Sequence, residues 1–156
     1  MKNIFIIVCI AILSFNCKNK SANKHSSENS AEQSIEKSAT TLLELGCYVY
    51  NDGKNKINFE ITQTGNHIKG NLNYELYEKD ANTGVFKGRL TNDTLLGIYT
   101  FNSEGVESSR EVAFKVQNKA LIEGYGELNE AGNAFKNKKA IHYNSKMPLK
   151  ETDCNL

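Results

Sequence analysis

Short runs in which apolar and polar residues alternate recur from residue 47 onward, and this period-two pattern constrains the fold more than any other feature. Residues 56–63 read KINFEITQ, and residues 67–78 read HIKGNLNYELYE. In residues 110–116, REVAFKV, the apolar side chains again occupy every second position. Such alternation is typical of half-buried β-strands, and no segment shows a helical period. The sequence therefore predicts an all-β fold.

About eight strands are predicted, and the hairpin-length connections between them favour antiparallel neighbours. The predicted strands cover residues 47–50, 56–63, 67–78, 85–91, 94–102, 110–116, 120–128 and 140–143. Eight short strands with tight turns favour an up-and-down, calycin-like barrel, because closure removes exposed strand edges. Glycines inside strands often mark barrel corners or close backbone approach, and the candidates here are Gly70, Gly88, Gly97, Gly124 and Gly126. The alternative is a β-sandwich.

Residues 1–16 predict a signal peptide ahead of this domain. A basic start precedes an apolar run over residues 4–15 that only Ser14 interrupts. A basic start followed by about 7–15 apolar residues is typical of a secretory signal. The run is shorter than the stretch of about 20 apolar residues that a transmembrane helix needs.

The apolar run ends in LSFNC, which resembles a bacterial lipobox, where the cysteine thiol takes a diacylglyceryl group. Phe15 and Asn16 depart from the usual small residues, and looser boxes of this kind are typical of lipoproteins from the Bacteroidetes. The resemblance implies acylation of Cys17, with the membrane as a partner through the lipid anchor. The following residues are too polar to bury a core, so we expect residues 17–40 to be the lipidated cysteine and a disordered tether.

The cysteines of the predicted barrel domain, residues 41–156, are found by elimination. Cys9 lies in the predicted signal and Cys17 carries the predicted lipid, which leaves Cys47 and Cys154 at the two ends of the domain. Since an exported compartment is oxidising, we expect these two to form a disulfide. The alternative is a catalytic or metal-binding thiol, although the sequence has no CxxC motif and neither cysteine has a nearby histidine.

Arg110 is the main candidate for ligand binding, because it shares the phase of the apolar residues that follow it in its strand. If that face lines a barrel, a guanidinium lies at the mouth of the barrel. A buried arginine needs a partner, and the candidates are Glu75, Glu104 and Glu123. One interpretation is a structural ion pair. The other is an anion-binding mouth, since arginine binds carboxylate and phosphate groups through two hydrogen bonds.

Other signals for chemistry are weak. The chain contains no GxSxG, P-loop or HExxH motif, and His67 and His142 lack the carboxylate spacing of a metal site. We therefore predict no metal, no cofactor and no catalytic residue. Asp93-Thr94-Leu95 resembles the O-glycosylation acceptor of the Bacteroidetes, which makes Thr94 a candidate; a plain hairpin turn is the alternative. The net charge of +1 argues against a nucleic-acid partner.

The motifs CYxY, NYELYEKD, YTFNSEG, SREVAF and EGYGE, together with the lipobox, resemble a group of small uncharacterised lipoproteins of the Bacteroidetes. The resemblance implies a location in the cell envelope, as an outer-membrane lipoprotein facing the periplasm or the cell surface. We expect a non-catalytic, lipid-anchored protein whose barrel binds a small ligand or an envelope protein. The alternatives are a structural or assembly factor with a filled barrel, and a hydrolase.

Overall fold

The computed structural model describes residues 43–155, and this part of the chain is almost entirely β-structure. Its one helical element is a short 3-10 turn, Lys138–Ala140. Within residues 43–155, no helix is long and apolar enough to cross a membrane. The strands are β1 Gly46–Asn51, β2 Lys56–Gln63, β3 Ile68–Glu75, β4 Asn82–Thr91, β5 Thr94–Ser103, β6 Val106–Gln117, β7 Ala120–Gly124 and β8 Leu149–Thr152.

The eight strands form one closed barrel, and each strand pairs with its neighbours in chain order. Every pairing is antiparallel, as the hairpin-length connections predicted. The first and last strands pair with each other through Cys47–Thr152, Tyr48–Glu151 and Val49–Lys150. This pairing closes the sheet. The predicted up-and-down barrel is therefore confirmed, and the β-sandwich is excluded.

The prediction of a last strand at residues 140–143 is wrong. Ala140 ends the 3-10 turn, and the only bridge at the following residues joins His142 to Tyr125. The barrel is closed instead by Leu149–Thr152, whose first side chain is fully buried. A strand of four residues with one buried side chain has too little alternation for its pattern to show in the sequence.

Aromatic rings fill the middle of the barrel. Phe59, Phe86 and Phe114 are fully buried; the centroid of the Phe59 ring lies 5.1 Å from that of Phe86 and 5.3 Å from that of Phe114. The Phe86 ring fits against Gly88 and Gly97, because a Cβ atom on Gly97 would lie 2.6 Å from it. Two of the glycines that favoured a barrel thus make room for an aromatic side chain in the interior.

The two ends of the barrel differ. At one end, which we call the terminal end, the described chain begins at Leu43, whose buried side chain joins the apolar core. The turns between β2 and β3, β4 and β5, and β6 and β7 lie at this end. At the other end, the cavity end, lie the β1–β2, β3–β4 and β5–β6 connections and the long segment between β7 and β8.

Cys47 and Cys154 form a disulfide, as predicted, with 5.1 Å between their Cα atoms. Cys47 belongs to β1 and Cys154 follows β8. The bond therefore joins the two strands whose pairing closes the barrel, and it lies at the terminal end. The predicted signal peptide, the lipidation site Cys17 and the tether lie outside the described residues.

Candidate functional site

Arg110 points into the barrel at the cavity end. In β6 it keeps the inward phase of Val112, and its register partner on β5 is the fully buried Tyr99. The guanidinium carbon lies 5.5 Å from the ring centroid of Tyr74, 5.9 Å from that of Tyr99 and 5.5 Å from that of Phe101. A guanidinium within about 6 Å of aromatic ring centroids is attracted by the ring quadrupoles. Three rings from β3 and β5 thus hold the Arg110 side chain in place.

Arg110 has no acidic partner in the part of the chain that the structure describes. None of the ion pairs between residues 43–155 involves its guanidinium, and none of their side-chain hydrogen bonds does. The chain has two arginines, and Arg89 on the outer wall contacts His67 at 3.0 Å. The predicted structural ion pair at Arg110 is therefore not formed, and its hydrogen-bond donors remain available beside the cavity.

Glu123 is the one buried acidic side chain among the described residues, with 7% of its surface exposed. The Tyr74 hydroxyl donates a hydrogen bond of 2.8 Å to its Oε1 atom, and the Tyr125 hydroxyl donates one of 3.3 Å to its Oε2 atom. Burial raises the pKa of Glu123, and the hydrogen bond from Tyr74 and the charge of Arg110 oppose that rise. Both carboxylate oxygens thus already accept a hydrogen bond from tyrosine.

The tyrosines of this end are held in their neutral form. Burial and the neighbouring Glu123 raise the pKa of Tyr74 well above its usual range. Burial raises the pKa of Tyr99 to about 12 against the opposing charge of Arg110. The Tyr99 hydroxyl donates to the backbone oxygen of Asn82 at 3.0 Å. At neutral pH these phenols therefore act as hydrogen-bond donors.

A cavity of about 350 Å³ opens over these groups. Arg110 and Glu123 lie in its wall, and Leu76 and Met147 supply its apolar surface. Its remaining lining residues are Tyr74, Lys79, Asp80, Asn82 and Tyr125. The volume lies near the lower limit of small-molecule sites, which measure about 300–1,000 Å³. The cavity therefore suits a small ligand rather than a long chain.

A second, smaller pocket of about 160 Å³ shares Arg110, Glu123 and Tyr125 with the first and extends under the segment between β7 and β8. Glu111 on β6 fixes that segment. Its Oε2 accepts the backbone N–H of Phe135 at 2.9 Å, and its Oε1 lies 2.7 Å from the Lys138 ammonium. The two pockets thus meet at Arg110 and Glu123.

A larger concavity, about 740 Å³, lies elsewhere, along the outside of β7 and β8. It is shallow and open to solvent along the two shortest strands. Because it brings no buried polar group together, we assign the candidate site to the cavity end.

Of the predicted ligand-binding residues, the structure brings Arg110 and Glu123 together and places the other two elsewhere. Glu75 is exposed on the outer wall, in register with Lys56. Glu104 is exposed in the β5–β6 hairpin turn, with a φ of 50°. The inward phase of β3 falls on Tyr74 rather than on Glu75, which is why Glu75 points outward.

Thr94 follows the β4–β5 turn, and its hydroxyl donates to Asp93 at 3.2 Å. Asp93 also forms an ion pair of 3.2 Å with Lys115. The turn is a hairpin, as the plainer interpretation predicted, and glycosylation of Thr94 stays a prediction. Over residues 43–155, no three His, Cys, Asp or Glu side chains converge in an arrangement that could hold a metal ion.

Comparison with protein-family models, with curated proteins and with solved structures finds no match to this chain.

Proposed function

We propose that the barrel binds a small ligand in the cavity at its cavity end, without catalysing a reaction. The observation that carries the proposal is the Arg110 side chain, half-buried over three aromatic rings and facing a cavity with its donors unused by residues 43–155. Hydrogen bonds from a charged donor such as a guanidinium are about twice as strong as those between neutral groups. A ligand that accepts these hydrogen bonds would therefore stabilise the site.

A second function, a structural or assembly factor, has support from the middle of the barrel. Phe59, Phe86 and Phe114 fill that region, so no channel runs from one end to the other. A protein of this kind would use its outer wall and would retain no ligand. The two functions thus differ in whether a small molecule accompanies the protein.

Native mass spectrometry of the full-length protein, purified from its own envelope, separates the two. We expect a retained small molecule in the wild type and its loss in Asn82→Phe, which fills the cavity but keeps the backbone acceptor of Tyr99. Thr83→Phe is the matched control, because Thr83 is the next residue of β4 and points outward. Absence of a retained small molecule in all three proteins would favour the assembly factor. Retention of the same mass in both variants would place the ligand outside this cavity and contradict the proposed site.

We also propose that the protein is anchored in the cell envelope through Cys17. The lipobox-like sequence supports this proposal, and so does the Cys47–Cys154 disulfide, because stable disulfides are typical of exported proteins. Cys17→Ser should release the protein from membranes or block its processing. Cys9→Ser, within the same predicted signal, should leave both unchanged. A Cys17→Ser protein that partitions into detergent like the wild type would contradict the anchor.

A further inference from the structure

We propose that the cavity selects small monocarboxylates, binding the carboxylate at Arg110 and a short apolar body against Leu76 and Met147. This selection depends on the ligand-binding role proposed above. It specifies three properties of the ligand: the sign of its charge, the magnitude of that charge and the length of its apolar body. Each property follows from a different feature of the cavity.

The guanidinium determines the sign of the ligand charge. Arg110 stays protonated in proteins and offers a planar set of N–H donors that matches a carboxylate. Its contacts with Tyr74, Tyr99 and Phe101 are to aromatic rings, which accept none of its conventional hydrogen bonds. Glu123 accepts hydrogen bonds from two tyrosines and is not ion-paired with Arg110. An anionic ligand can therefore accept the hydrogen bonds that the Arg110 guanidinium offers.

Glu123 favours a ligand with a single negative charge over one with two. It lines the same cavity as Arg110, and its ionised form repels every further negative charge placed there. Among the described residues, Arg110 is the one cation that faces the cavity from within the barrel, and Lys79 is the other cation in its lining. A dianionic phosphate monoester therefore meets about twice the repulsion from Glu123 that a monocarboxylate meets, with no second cation of residues 43–155 inside the barrel to offset it. The rim offers one lysine, Lys79, which is exposed and lies beside Asp80. Carboxylate is therefore preferred over a dianionic phosphate.

The filled barrel limits the length of the ligand. Below the cavity, Phe86 and Phe59 pack edge to face with 5.1 Å between their centroids, and both are fully buried. A long acyl chain would have to displace these rings to extend along the barrel axis. The apolar body must therefore fit within the cavity of about 350 Å³, which suits a single ring or a short aliphatic chain.

Tyr125 offers a second contact for the carboxylate. Its side chain is 45% exposed, and its hydroxyl lies 3.3 Å from both Glu123 Oε2 and Ser145 Oγ. Both distances exceed the roughly 2.5–3.0 Å that is usual for hydroxyl donors. A turn of the hydroxyl toward a ligand oxygen would exchange one of these long hydrogen bonds for a shorter one.

The test measures dissociation constants for the intact protein in nanodiscs, by protein-observed NMR at pH 8, with benzoate, benzamide, phenyl phosphate, hexanoate and dodecanoate. We expect benzoate and hexanoate to bind. The uncharged benzamide and the largely dianionic phenyl phosphate should each bind at least tenfold more weakly than benzoate. Dodecanoate should gain nothing over hexanoate, because its extra methylene groups find no room.

Arg110→Gln should weaken benzoate binding at least tenfold. Arg89→Gln, which removes the other arginine from the outer wall, should change it less than twofold. If Arg110→Gln does not fold, the NMR chemical shifts of the wild type test the site instead. Benzoate should then perturb the signals of Arg110 and Tyr125 at lower concentrations than those of any residue at the terminal end.

Equal binding of benzoate and benzamide would overturn the inference and leave the ligand-binding function standing. Tighter binding of phenyl phosphate than of benzoate would overturn the preference for a single charge. Tighter binding of dodecanoate than of hexanoate would overturn the length limit. A wild type that binds neither benzoate nor hexanoate below about 10 mM while retaining another small molecule from its envelope would also overturn the inference, but not the proposed function.

Discussion

At the scale of single residues, Glu123 is the most unusual group in the barrel, since it is a carboxyl with 7% exposure that two tyrosines approach. Burial raises its pKa in the folded protein above the value of 4.5 expected for an exposed glutamate. The folded state therefore binds a proton more readily than the unfolded state does. By linkage, the free energy of unfolding must fall as the pH rises from the ordinary range of glutamate through the raised pKa, and then level off.

Glu123→Gln should remove this part of the pH dependence. The amide is uncharged at every pH and keeps one oxygen acceptor for Tyr74. The variant should therefore gain stability relative to the wild type as the pH rises above the ordinary pKa of glutamate. Urea unfolding at pH 4, 5, 6, 7 and 8 measures the difference. Glu107→Gln, at an exposed position on β6, is the control and should follow the wild type. Parallel curves for Glu123→Gln and the wild type would contradict the raised pKa.

At the scale of strands, β4 and β5 pair through two glycines, and the Phe86 ring packs against both of them. Gly88 and Gly97 are register partners. A Cβ on Gly97 would meet the backbone oxygen of Lys87 first, and it would lie 2.6 Å from both the Gly88 Cα and the Phe86 ring. Gly97→Ala should therefore lower the free energy of unfolding by about 1–3 kcal/mol, the usual cost of overpacking a core. Thermal or urea unfolding measures the change.

A double variant identifies the cause of that cost. If the new methyl group collides with the ring, Phe86→Leu should reduce the effect of Gly97→Ala, because the two positions touch and their effects are not additive. Additive effects would show that the backbone of β4, rather than the Phe86 ring, resists the new side chain.

The period-two pattern predicted β2, β3, β5 and β6 because each of these strands carries several apolar side chains on one face. β4 and β7 have fewer, and the turns beside them at residues 92–93 and 117–119 helped to predict these two strands. The same pattern showed that Arg110 points inward. It did not show that Tyr74, Tyr99 and Phe101 surround Arg110, since their meeting depends on the register of different strands. Met147 lies in an irregular segment, which has no periodic signal. The barrel was thus predictable from single strands, whereas the site required their alignment.

The outer wall carries a cross-strand pair of like charges. Lys69 on β3 and Lys87 on β4 are register partners, and both are exposed. Directly opposite like charges destabilise a sheet, whereas opposite charges stabilise it by about 0.2–1 kcal/mol. Lys87→Glu should therefore raise the free energy of unfolding by a similar amount, less at high salt.

Lys56→Glu provides the inverse case, because Lys56 faces Glu75 across β2 and β3. That change replaces an attractive pair by a repulsive one and should lower the midpoint of urea unfolding. If both variants shift the midpoint in the same direction, the low strand propensity of glutamate, and not its cross-strand partner, determines the change in stability.

At the scale of the whole molecule, the barrel closes at its weakest place. β8 has four residues; three of its pairs join it to β1, and only two, Ala120–Lys150 and Leu121–Leu149, join it to β7. The strands that meet there come from opposite ends of the domain, so the chain must lose much conformational entropy to bring them together. The disulfide removes part of that cost by linking the same two strands in the unfolded chain.

Replacing both cysteines, Cys47→Ala with Cys154→Ser, should therefore lower the free energy of unfolding by about 2–5 kcal/mol, a large part of the roughly 5–15 kcal/mol of an ordinary domain. Cys47 is buried and Cys154 is exposed, so each substitute matches the environment of the residue it replaces. Urea unfolding measures the loss, and hydrogen exchange locates it. The amides of Leu149–Thr152 should exchange first in the variant, while those of β4 and β5 stay protected. Reduction of the wild type should reproduce the same shift. An unchanged midpoint would show that strand pairing alone closes the barrel. A loss of protection that begins in β4 and β5 would contradict the claim that the closure at β8 is the weakest part of the sheet.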